Sequence, residues 1–262
     1  MTIAKNGELI KTIEDWHRLA PPKSEKQWVD GRSAKETARA WLQGGADNLP
    51  GDVEDLLRSH RDFGSVIHWT AEPEARLRFD HFRGEPRNSD LAIHAEDSGG
   101  KFLIAVEAKA DEPFAEKVSD ALSNALERYT LNAESKGIAR IQQLARALFV
   151  GRESGQSALR DLRYQLLTAS AGALCEAERH GYTRSLLLIQ EFVTDKTRNS
   201  KHARNAKDLD RFIYRLSSGE NSSLDSGEIV GPICVPRYPL ASANVDLYIG
   251  KISRNIRADN SK

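Results

Sequence analysis

Residues 89–109 read SDLAIHAEDSGGKFLIAVEAK, and this stretch decides the fold. Two runs of strand-forming residues, Asp90 to Glu96 and Lys101 to Lys109, flank Asp97-Ser98-Gly99-Gly100, whose glycines can take positive φ without steric penalty. The reading is a β-hairpin. A two-residue turn at Ser98-Gly99 pairs Asp97 with Gly100, and a four-residue loop pairing Glu96 with Lys101 gives the same register. Continued along the strands, that register sets Asp90 opposite Glu107, with Cβ atoms roughly 4.5–5.5 Å apart. Lys109, two residues on, falls on the same face. A bulge in the turn would shift the register by one and undo this pairing.

Opposed carboxylates repel, and here they end Phe102-Leu103-Ile104-Ala105-Val106, a run apolar on both faces that reads as a central strand. Burying two like charges there is unfavourable unless a cation neutralises them. Magnesium suits the position, because it takes hard oxygen ligands and keeps waters for a substrate phosphate. An ammonium beside it can orient or deprotonate an attacking water and offset developing phosphorane charge. The plainer reading makes Asp90 a turn residue and Glu107 with Lys109 a surface ion pair, since Glu-x-Lys alone is common.

Outward from the hairpin, residues 64–69 read as a strand that residues 76–82 extend or pair with. Residues 53–61 form a helix with Asp52 as its N-cap. Three helical patterns follow, at residues 116–129, 138–149 and 159–180, and Gly181 closes the last. Residues 184–193 read as a strand buried on both faces. Residues 205–216 read as a helix, and residues 229–235 and 245–252 as two further strands. Near the start, Thr12 to Leu19 and Ser33 to Trp41 read as helices, the second opened by a capping box with Glu36 and ended at Gly44-Gly45. Trp16, Trp28 and Trp41 are expected to pack this all-helical N-terminal stretch onto the body. The sum is an α/β layout around a mixed sheet.

A chain of 262 residues with 39% hydrophobic and 29% charged residues suits one large domain with appendages. No run of about 18 apolar residues is present, so no membrane span is expected. The start lacks the apolar core of a secretory signal, so the expected location is the cytoplasm. Cys175 and Cys234 read as reduced structural thiols, too few for a zinc site. Lys plus Arg equals Asp plus Glu at 38 each, which argues against nonspecific coating of nucleic acid but not against a local basic strip. Lys196, Arg198, Lys201, Arg204, Lys207, Arg211 and Arg215 supply such a strip, though Asp195, Asp208 and Asp210 interrupt it and a solvated helix is the default. His81 and His94 lie near the motif without a metal-ligand spacing, so each reads as a packed or surface residue.

Ser89-Asp90, the hairpin and Glu107-Ala108-Lys109 together resemble the PD-(D/E)XK nuclease superfamily, with residues 50–193 following its order of helix, three strands, helix, strand. Ser89 stands where a proline is often written. The resemblance implies a restriction-endonuclease-like core with a mixed central sheet flanked by helices. Domains then run 1–49 (N-terminal helical extension), 50–195 (nuclease-like core) and 196–262 (C-terminal helix and strands packed on the core). It implies Mg2+ (or Mn2+) on Asp90, Glu107 and the Ala108 carbonyl, with Lys109 positioning the nucleophilic water. Glu54 is the matching candidate for a helix glutamate near the metal, or else a first-turn acid complementing its helix dipole. Gln165 matches a glutamine found on the following helix, or else is a polar residue on a solvated face. The implied activity is hydrolysis of a phosphodiester, DNA ahead of RNA, by an endonuclease that can be a homodimer. The alternative is a catalytically inactive nuclease-like subunit that binds nucleic acid or serves assembly.

Overall fold

The computed structural model describes residues 1–43, 48–241 and 244–256. In chain order the strands are β1 (Thr2–Lys5), β2 (Glu8–Leu9), β3 (His68–Leu77), β4 (Arg87–Asp97), β5 (Gly100–Lys109), β6 (Arg184–Thr194), β7 (Glu228–Ile233) and β8 (Asp246–Ile256). The helices are α1 (Ile13–Leu19), α2 (Ser33–Leu42), α3 (Gly51–Arg58), α4 (Val118–Leu131), α5 (Gly137–Leu148), α6 (Tyr164–Arg179) and α7 (Asn199–Leu216). All eight strands join one mixed sheet, ordered β2-β1-β3-β4-β5-β6-β8-β7. β3, β4 and β5 form an antiparallel meander, and β5, β6 and β8 run parallel.

The apolar alternation of the strands divides the core into two layers. On one face Trp69, Ile93, Phe102, Ile104, Val106 and Leu188 pack under Trp16 of α1, Trp41 of α2 and Leu56 of α3. On the other, Leu77, Ala92, Leu103, Ala105 and Ile189 pack under α4 to α7. β5 feeds both layers, as its unbroken apolar run requires. Residues 166–177 of α6 are all buried, and small residues let that helix approach the sheet closely. A Cβ added at Gly172 would come within 3.2 Å of the Leu77 Cβ.

The hairpin register is the expected one, running from Asp97↔Gly100 to Leu91↔Val106. Several expectations need correction. The N-terminal stretch is not all helical, because β1 joins the sheet parallel to β3 and β2 folds back on it. Of the two readings for residues 64–69 and 76–82, extension is the one observed, although the single strand β3 is confined to His68–Leu77 and runs through Pro73. α6 begins at Tyr164, after a separate 3-10 turn at Leu159–Asp161, and α7 begins at Asn199. Asp52 does not cap α3; its carboxylate takes Arg254 at 2.5 Å. α2 lacks its capping box, since Ser33 bonds Glu112 and Glu36 accepts from Gly31 N–H at 2.7 Å. The expected stop at Gly44-Gly45 lies outside the described residues. Trp41 and Trp16 are buried as anchors, and Trp28 stacks on His17 at 4.7 Å. Among the described residues no helix is long and apolar enough to cross a membrane.

Candidate metal centre

The sheet forks where the motif lies. β4 and β5 stop pairing at Leu91↔Val106, yet β4 stays on β3 to Arg87↔Leu77 and β5 stays on β6 to Lys109↔Glu191. At the fork a side chain replaces the main-chain ladder, as the Ala108 N–H donates to Asp90 Oδ2 at 2.6 Å. Ser89 Oγ closes the seam by donating to the Val106 carbonyl at 2.9 Å. The two carboxylates therefore meet across a gap between parting strands, not as a flat cross-strand pair.

Glu107 and Lys109 are both buried. Lys109 Nζ donates to Glu107 Oε1 at 2.6 Å, and Arg87 donates to the other oxygen. Gln165, in the first turn of α6, donates from Nε2 to Glu107 Oε1 at 2.5 Å. It is therefore not on a solvated face. Ala108 separates Glu107 from Lys109 and sits in register with Gln190 of β6.

Glu54 is placed elsewhere. It pairs with Arg58 in its own helix at 2.9 Å, and α3 packs on β7 and β8. The acid that reaches Asp90 is Glu74, because Pro73↔Leu91 and Ala75↔Ser89 bracket the two residues. Glu74 has φ +47°, a conformation unfavourable for a side chain with a Cβ, and Lys5 Nζ donates to its carbonyl at 2.8 Å. Glu74 and Asp90 line a small cleft under Trp16, Trp28 and Thr37 of the N-terminal stretch.

The electrostatics separate these groups. Burial pushes the Asp90 carboxyl up to about 7, and the charges of Glu107 and Glu74 add to it. Burial likewise raises Glu74. Burial opposes ionisation of Glu107, but Lys109 and Arg87 outweigh it and hold that carboxyl below its ordinary value. Burial also disfavours the Lys109 ammonium, and Glu107 with Asp90 more than restores it. Asp90 and Glu107 offer carboxylate oxygens of the kind a hard divalent cation takes, and Glu74 acts on Asp90 through its charge.

Sequence reasoning missed Glu74 and Arg87. The signal for Glu74 was present in Trp69, Ala71, Pro73, Ala75 and Leu77, which alternate as one strand. His81 is exposed. In the basic strip, Arg204, Lys207 and Arg211 are exposed, Lys201 pairs with Asp111 at 3.1 Å, and Arg215 is buried.

A family model described as a domain of unknown function, DUF6946, matches residues 9–256. No curated protein and no solved structure matches the chain.

Proposed function

Since the chain belongs to the DUF6946 family, a domain of unknown function, we propose from its own geometry that it is a divalent-metal-dependent phosphodiesterase, acting as an endonuclease on DNA ahead of RNA. The observation that carries this is the fork, where half-buried Asp90 meets the strand of buried Glu107 and Lys109, Gln165 bonds Glu107, and Glu74 acts on Asp90 through its charge. The order α3, β3–β5, α6, β6, with α4 and α5 standing between β5 and α6, supports a restriction-endonuclease-like core.

Asp90 and Glu107 would hold Mg2+ or Mn2+, with the Ala108 carbonyl beside them and Glu74 in the place the resemblance gave to Glu54. The ion would polarise a phosphate oxygen and make a bound water more acidic. Lys109, an ammonium at neutral pH, would orient the attacking water and offset charge on the phosphorane. Gln165 holds Glu107 in place by its amide N–H. The inactive-subunit reading draws on one observation, that Arg87 occupies Glu107 where an ion would sit.

Cleavage assays separate the two. The full chain is incubated with plasmid, single-stranded DNA and RNA in Mg2+ or Mn2+, beside folded Glu107→Gln and Lys109→Met. Both substitutions are expected to lower the cleavage rate at least ~10²-fold. Equal rates in all three proteins, or no cleavage with either metal, would overturn the catalytic reading.

A further inference from the structure

We infer that His94, Glu176 and His180 form a second cation site, suited to zinc-class ions and not to magnesium, where the C-terminal end of α6 meets β4. One ligand atom from each of the three residues lies within 4.8 Å of the others. Glu176 and His180 stand four apart, on one face of the helix end. His94 comes from β4, and its ring lies 4.4 Å from that of His180, centroid to centroid. Two nitrogens and one oxygen form a borderline-soft set that zinc accepts, whereas magnesium prefers oxygen throughout.

The surroundings fit an ion. Tetrahedral bonds of about 2.0–2.1 Å set ligand atoms roughly 3.4 Å apart. Glu176 Oε1 and His180 Nε2 are already 3.0 Å apart, and His180 is exposed enough to adjust. Arg179 pairs with the other carboxylate oxygen, Oε2, which leaves Oε1 for the ion. The Tyr182 hydroxyl meets His94 Nδ1 at 3.2 Å, the outer contact that orients a ligating imidazole through its remaining nitrogen. Tyr182 is brought there by the turn that ends α6, in which its N–H reaches the Ala177 carbonyl at 2.8 Å and Gly181 takes φ +70°. The negative end of the α6 dipole also favours a cation. The ion would clamp β4 onto α6, the two elements that supply Asp90 and Gln165.

The test is titration of the metal-stripped full chain with Co2+, read by tetrahedral d–d absorption, and with Zn2+, read by thermal shift. Wild type and Asp90→Asn are both expected to bind one ion with this signature. His94→Ala and His180→Ala should weaken that binding at least about tenfold. His180 is exposed, so its variant keeps the test open if His94→Ala fails to fold. No binding by wild type, unchanged binding in His180→Ala, or loss in Asp90→Asn would each overturn the assignment.

Discussion

Asp90 is served by one main-chain N–H and faces two other carboxylates, so in the metal-free chain its proton is held until about pH 7, against an ordinary 3.8. The folded state thus binds this proton more tightly than the unfolded chain. Stability from this group is fully present below about pH 4 and is lost as pH rises through about 7. Asp90→Asn removes the titration. Measured in chelator from about pH 5 to 8, the variant's stability should gain on wild type, by up to roughly 1.4 kcal/mol per pH unit at the steepest. A pH-independent difference would contradict the account of Asp90. Asp90, Glu107 and Lys109 were legible from hairpin register and strand burial alone. Gln165 was legible only through resemblance, because periodicity cannot show that a helix's first turn reaches a carboxylate 58 residues away. Glu74 was hidden by Pro73, which marks a strand edge or break by rule but here lies inside β3 next to a positive φ.

At the scale of elements, the hairpin is fixed to β6 by Arg184. Its guanidinium donates to Asp97 at 2.7 and 3.0 Å and to the carbonyls of Gly100 and Asp62 at 2.8 and 2.5 Å. It also lies 4.8 Å from the Phe102 ring. Both partners of this ion pair are buried, so removing one leaves an uncompensated charge. Arg184→Ala should cost about 3–5 kcal/mol in urea unfolding. A loss under about 0.5 kcal/mol, as at an ordinary surface site, would contradict that role. The strands β4, β5 and β6 were readable because their apolar patterns match burial on one or two faces. β1 and β2 were not, since strands of four and two residues carry too little pattern. Residues 199–204 of α7 were also missed, because polar contacts secure that end: His202 meets Glu191 at 2.7 Å.

For the whole molecule, a three-layer α/β/α body sets one fork in its sheet between two prongs, each still paired with its outer neighbour. The N-terminal stretch closes over one side of that fork, tied there by Arg32 to Asp111 at 2.7 Å and by Trp41 to Gln190 at 3.0 Å. From the other side α6 brings Gln165. The arrangement gathers acidic groups at a point where Lys109 and Arg87 bond Glu107 directly and Lys109 reaches Asp90 through its charge. The most direct test is calorimetric titration of the metal-free full chain with Mn2+ and Mg2+, beside Asp90→Ala. Wild type should bind a divalent ion and release protons on binding at about pH 7, and Asp90→Ala should lose that binding. Absence of binding in wild type, or equal binding in Asp90→Ala, would contradict the claim that this fork is a metal centre.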